Sequence, residues 1–241
     1  MSEAGMTKEE QLRQDGWAAR CLLRECRAAA LATAALGQPF ASLVTPATTP
    51  TCDIILLLSN LSEHTRHLRA EPRCTLFVAG EPATPNPQTA PRVSITGTAE
   101  MIAGDTASLL DRYLAVHPYA RPYSGFHDFK LWRFTPISAL MVGGFARATR
   151  LRPADLMPNQ ATASRIEEEA EPLLAAPPQW IDRVTERAGL GAGWRLTGID
   201  LDGIDLTLTD ASEDEHSVRI SFPQPVAPGQ SLSNCLSDWI K

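Results

Sequence analysis

The sequence carries no GxGxxG, no P-loop, no HExxH, no GxSxG and no CxxC. Those absences argue against dinucleotide, nucleoside triphosphate, zinc-protease and α/β-hydrolase sites, whose chemistry depends on those spacings. Cysteine is scarce: Cys21, Cys26, Cys52, Cys74 and Cys235 are an odd set with no metal-ligand spacing. The first twenty residues are polar and hold no apolar segment of the secretory kind. Odd cysteines without such a segment predict reduced thiols and a cytoplasmic location. The longest apolar runs, such as Ile54 to Leu58, are too short to cross a bilayer, so no membrane partner is expected. Basic clusters are missing as well, and a net charge of −6 makes nucleic acid a poor partner.

What is present is ordinary for a globular chain of 241 residues: 44% apolar and 21% charged, enough for one large or two modest domains. The charge is split. Residues 1–154 hold 16 Lys and Arg against 13 Asp and Glu, whereas residues 155–241 hold 6 against 15.

The pattern along the chain predicts an amphipathic helix over 7–26, then two short strands (28–33 and 40–45) about the turn Gly37-Gln38-Pro39. A Pro/Thr-rich loop over 46–51 precedes a strand from Asp53 to Leu58 and a helix over 61–70. Strands at 73–79, 92–102 and 129–142 follow. A four-proline loop (80–91), a helix (105–116) and a His/Pro/Tyr-rich loop (117–127) lie between them. Mostly antiparallel strands with a few interposed helices suggest a barrel. After a linker over 151–162, two helices, three short strands joined partly by Asp202-Gly203, and a last helix over 229–240 read as a compact second domain. The expected class is therefore α+β: a split β-barrel domain over 1–152, then a small α/β domain over 163–241 with a three-stranded antiparallel sheet.

The best local candidate for chemistry is Ser59-Asn60-Leu61-Ser62-Glu63-His64-Thr65-Arg66, where a buried strand stops and a helix starts. Ser59 or Asn60 reads as the N-cap. A helix N-terminus with hydroxyls and cations around it is a natural place for a phosphate. An ordinary capped surface helix would look the same. Arg27, Ser42 and Arg92 stand on or beside strands and read as solvent-facing when taken singly. His117 and His127, with Tyr119, Arg121 and Tyr123, form a polar loop that either lines a site or is merely solvated. No metal-ligand cluster and no acid–base constellation stands out.

Taken together, Arg27 to Thr33, Pro39 to Val44, Leu58 to Leu68 with Pro72-Arg73, and Pro91 to Gly97 resemble the pyridoxamine 5′-phosphate oxidase-like FMN-binding split barrels. The segments Val142 to Ala148, Trp194 to Asp200 with Asp202-Gly203, and Phe222-Pro223 are similar to the HugZ-type branch, which adds a small C-terminal domain. The resemblance covers about residues 15–240, and the Ser-x-Leu-x-x-His-Thr segment is its most specific part.

This resemblance implies an FMN phosphate at Ser59, Leu61, Ser62, His64 and Thr65. It places Ser42 and Val44 at the ribityl and isoalloxazine edge, with Arg27 and Arg92 as further contacts. It also implies a homodimer with the flavin at the interface, and flavin-dependent redox chemistry on a small molecule. Haem is the alternative cofactor. Against haem degradation, the histidine such barrels use near the C-terminus has no counterpart, since His216 is the last one. A dimeric binding module without flavin is the remaining alternative. Basic residues of the vitamin oxidases proper are replaced by Ser42 and by Glu63-His64, so that activity is not expected.

Overall fold

A computed structural model describes residues 6–143, 147–176 and 178–240. The chain runs α1 (Lys8–Glu25), β1 (Ala29–Ala35), β2 (Gln38–Val44), β3 (Pro46–Thr48), β4 (Ile54–Ser59), α2 (Glu63–Ala70), β5 (Arg73–Ala79) and β6 (Arg92–Met101). It continues with α3 (Ala107–Val116), α4 (Arg121–Ser124), β7 (Phe129–Val142), β8 (Ala148–Leu151) and α5 (Pro153–Leu156). The last part holds α6 (Gln160–Ala175), α7 (Ile181–Arg187), β9 (Arg195–Asp200), β10 (Gly203–Thr209), β11 (Glu215–Ser221) and α8 (Leu232–Ile240).

Eight strands form one antiparallel sheet in the order β2-β1-β5-β6-β7-β4-β3, with β8 on β7. Period-two alternation sends Leu31, Leu76, Val93, Ile95 and Met141 inward, where α1 covers them with Ala19 and Leu23. Strand β4 is buried on both faces. Ile54, Leu56 and Leu58 enter this core, while Ile55 and Leu57 meet Tyr113 and Leu114 of α3 in a second one. That two-sided burial is why its sequence is an uninterrupted apolar run. Strand β7 carries Pro136 at a register shift opposite Thr96 and Gly97. A side chain at Gly97 would put its Cβ 2.2 Å from the Thr135 carbonyl oxygen, so only glycine lets the strands close there.

The expected split β-barrel followed by helices and a three-stranded antiparallel sheet is what the structure shows, with corrections in detail. Residues 46–48 are a short edge strand and not loop; Pro46 is tolerated because it opens an edge strand. The stretch 151–162 is not a bare linker: it ends β8, forms α5 and starts α6, which begins at Gln160. Of the segment Val142 to Ala148, residues 144–146 lie outside the described residues.

The C-terminal sheet, in the order β11-β10-β9, packs on α6 and α8 around Ile166, Leu196, Ile204, Leu206, Phe222 and Leu232. Asp202-Gly203 does make the β9–β10 turn. Three carboxylates at this corner, Asp200, Asp202 and Asp205, are buried against arginines of the barrel. Arg20 reaches Asp202 at 3.0 Å, Arg24 reaches Asp200 at 2.8 Å and Asp202 at 3.0 Å, and Arg112 reaches Asp205 at 2.7 Å. Arg219 of β11 completes the lattice on Asp200 at 2.6 Å and Asp205 at 3.3 Å. Some of the C-terminal acidic excess thus neutralises arginines of the barrel across the contact between the two parts.

Candidate cofactor site

Strand β4 ends at Ser59, whose Oγ donates to Asp128 Oδ2 at 2.6 Å and accepts from the Leu61 backbone N–H at 3.1 Å. The Asn60 N–H donates to the Asp128 carbonyl at 2.7 Å, which ties the loop before β7 to the start of α2. The N-cap is Ser62, not Ser59 or Asn60, because the chain makes one more turn before the helix takes up its dihedrals. The Ser62 hydroxyl makes no capping bond. Thr65 Oγ1 and His64 Nε2 are buried and have no hydrogen-bond partner. Two apolar side chains flank the junction in the open: Leu61, 80% exposed, and Phe126, 57% exposed.

Both carboxylates at this corner already have partners. Asp128 holds Ser59, and Glu63, the first residue of α2, holds Arg66 and His67. Burial, followed by the neighbouring His67, pushes the His64 imidazole below its ordinary pKa and keeps it neutral.

The other histidines are committed or remote. His67 Nε2 lies 3.2 Å from Glu63 Oε1, and its Nδ1 is hydrogen-bonded with Thr33 Oγ1 at 3.0 Å. His117 is fully buried, with Nε2 against the Pro46 carbonyl at 2.9 Å. Burial drives its pKa down to about 4. His216 is tied to Asp210 at 2.8 Å on an exposed hairpin. His127 is exposed beside Asp128, at the same junction as His64. The thiols offer no nucleophile: desolvation lifts Cys26 and Cys74 to about 12 and Cys21 to about 11.

Within one chain the expected contact residues do not all converge. Ser59, Leu61, Ser62, His64 and Thr65 share the α2 start. Ser42 and Val44 lie on β2 opposite Leu31 and Ala29, on the side of the barrel core. Arg27 precedes β1 at the end away from Thr33, where α2 docks; Ala29 to Thr33 alone spans about 13 Å of strand. It sits near Asp205 and Arg219, with a hydrogen bond to the Arg24 carbonyl at 3.3 Å, and burial lowers its pKa. Arg92 turns back on its own loop, donating to the Gln88 and Ala90 carbonyls. Sequence reasoning missed Asp128 and Phe126; the run of strand residues from Phe129 gave no sign that the preceding loop would pin Ser59.

The second face of the sheet is open. A cross-strand row runs Leu43, Ala30, Phe77, Ser94 and Leu140, beside a row of Ala41, Ala32, Thr75, Thr96 and Ser138. Leu43 is 75% exposed and Phe77 is 38% exposed. Small and apolar residues on an uncovered sheet face are a common signature of an association surface. Among the described residues no helix is long and apolar enough to cross a membrane, and no group of three or more His, Cys, Asp or Glu is placed to hold a metal ion.

Comparison with known proteins adds to this geometry. The chain is 34% identical over 113 residues to the non-canonical heme oxygenase HOZ, chloroplastic, of Arabidopsis thaliana; the match covers 46% of this chain and 34% of that protein. The chain therefore spans about a third of the length of that curated relative. Its fold is similar to that of the protein Atu2129, of unknown function, from Agrobacterium tumefaciens, with a TM-score of 0.73, 27% identity and full coverage of both chains. It is also similar to a heme binding protein from Mycobacterium smegmatis, with a TM-score of 0.57, 22% identity, and 95% and 94% of the two chains covered. The CREG β-barrel family model matches residues 10–157, most of the chain and all of its large sheet, and the chain belongs to that family of split barrels.

Proposed function

We propose that this chain is a haem-binding split-barrel protein and that it works as a homodimer. The donor set where α2 starts carries this reading. His64 is a half-buried, neutral imidazole with an unpartnered Nε2, and His127 is exposed and next in sequence to Asp128, which holds Ser59. A neutral imidazole is what haem iron takes as a ligand. Leu61 and Phe126 offer exposed apolar surface to a macrocycle. The likeness to a heme oxygenase over 113 residues supports the same reading.

In this account haem supplies the redox chemistry of its iron when bound. The chain's own residues bind and orient it. His64 would supply the ligand imidazole, which burial holds in its neutral form; its Nε2 is covered in the single chain and would have to be uncovered on binding. Leu61 and Phe126 cover the ring and thin the water around it. The uncovered sheet face of Leu43, Phe77 and the alanines is where a second protomer packs.

FMN is the second reading, with the chain as a flavin-dependent oxidoreductase on a small molecule. It is favoured by two hydroxyls, Ser62 and Thr65, which have no hydrogen-bond partner at the helix start. In that case Arg27 would have to come from the second protomer, since within one chain it lies at the far end of β1.

The two readings separate in one preparation. The protein is expressed in bacteria supplied with both riboflavin and a haem precursor, purified, denatured, and the released cofactor identified by chromatography. Haem near one per protomer supports the first reading, and FMN at that stoichiometry supports the second. A colourless dimer that also refuses added hemin and FMN would leave a non-enzymatic binding module.

A further inference from the structure

Away from the α2 junction, a cleft of about 670 Å³ opens between α1, the α5 region and the 224–228 loop of the C-terminal part. That volume lies within the range of small-molecule sites, about 300–1,000 Å³, and a boundary between two packed units is where such sites concentrate. Leu12, Trp17, Met157, Pro225 and Val226 form most of its apolar lining. Its walls are fixed in advance. A Cβ at Gly16 would stand 1.9 Å from the Asp155 carbonyl oxygen, so α1 and α5 touch backbone to backbone. On the lining, Arg20 is held by Asp202 and by the Leu156 carbonyl at 3.1 Å.

The polar groups of the lining show what kind of ligand fits. Asp155 is saturated by Arg152, which donates its backbone N–H, Nε and Nη2 at 2.9, 2.9 and 2.8 Å. The side-chain oxygen of Asn159 is taken by the N–H and hydroxyl of Thr162. Arg13 has one loose contact, to Glu9 at 3.5 Å, with both side chains exposed, a pair worth little in water. Trp17 Nε1 is buried and has no partner at all. What remains unspent is chiefly donors: the indole N–H, the Asn159 amide, Arg13 and the outer guanidinium edge of Arg152, against one loosely held carboxylate, Glu9, which is offset by Arg13. We infer that this cleft is a second ligand site, and that it takes a small amphipathic oxyanion, an apolar body carrying a carboxylate or sulfonate head. The body lies on Trp17, Met157 and Val226, and the head meets Arg13 and Arg152 at the mouth.

The inference does not depend on the haem reading, and a fluorescent probe tests it on the full chain. Anilinonaphthalene sulfonate, an aromatic body with one sulfonate, is titrated into the protein. The expected result is one saturable site per chain. Ala227→Trp, a plug placed at an exposed loop position on the lining, abolishes binding while far-UV circular dichroism stays native. The double variant Arg13→Gln/Arg152→Gln, both exposed, weakens binding about tenfold through loss of charge-assisted contacts. Trp17→Phe, which keeps the ring surface and drops the N–H, weakens it about threefold. Binding that survives Ala227→Trp, or that is lost in His64→Ala instead, overturns the site. Binding that disappears in Ala227→Trp yet ignores both arginines overturns the oxyanion chemistry.

Discussion

Arg112, carried by α3 of the barrel, passes over Gly198 of the C-terminal sheet to reach Asp205 at 2.7 Å. A Cβ at position 198 would lie 2.4 Å from Arg112 Nη1 and 2.8 Å from Asp205 Oδ2. Gly198→Ala therefore pushes the guanidinium out of a buried ion pair. The expected loss is roughly 2–4 kcal/mol in urea unfolding, large for the addition of one methyl group.

The same lattice sets a contrast between buried and exposed pairs. Asp205→Asn leaves Arg112 and Arg219 facing a neutral group inside the protein, and the expected cost is about 3–5 kcal/mol. Glu215→Gln removes an ion pair of nearly the same length, 2.8 Å to Arg121, and a looser one at 3.5 Å to Arg195, but both arginines are more than half exposed. Its expected cost is below about 1 kcal/mol. Equal losses in the two variants would contradict the role given to burial.

Stability should fall with pH in two stages. His117 has a folded pKa of about 4, held down by burial, against about 6.5 in the unfolded chain. A depressed value means its contribution is present above pH 6.5 and is lost as pH falls toward 4, by about 3 kcal/mol in all. For Asp205 and Asp202, burial alone would raise the pKa, but Arg112 and Arg219 for the first, and Arg24 and Arg20 for the second, outweigh it and hold both low. Their contribution starts to disappear only below about pH 4, where the unfolded carboxyls take up protons. Urea midpoints across pH 7 to 3 check this. His117→Gln should flatten the upper stage and leave the lower one.

The open sheet face should be a protomer contact. Leu43→Glu together with Phe77→Glu places two charges in the middle of it, on side chains already exposed in the single chain, so folding is spared. Sedimentation should show twice the chain mass for the wild type and the single chain for the variant.

How much of this was legible in the sequence follows from which signals are local. Alternation in β5 and β6, the Asp202-Gly203 turn and the apolar run of β4 are local patterns, and the structure keeps all three. The strand at Pro46 was not legible, because proline chemistry points to a loop unless the edge position is known. The N-cap is Ser62, and Ser59 is engaged by Asp128, 69 residues away in sequence, a contact that no local pattern reveals. A count of acidic residues after position 154 could not reveal that Asp200, Asp202 and Asp205 would meet Arg20, Arg24 and Arg112. Those partners are brought together only by packing. The convergence of Ser59 to Thr65 at one junction was readable from a strand followed by a helix start. The distance between that junction and Arg27 was not, since it depends on which end of β1 receives α2.

The central claim is that haem is held by an imidazole at the α2 start. Its most direct test is a hemin titration followed in the Soret band for the wild type, His64→Ala and His127→Ala. The account predicts one haem per protomer with an imidazole-ligated spectrum in the wild type. It predicts loss of that spectrum and at least tenfold weaker binding in His64→Ala, with His127→Ala closer to wild type. Hemin binding with an unchanged spectrum in His64→Ala would contradict it.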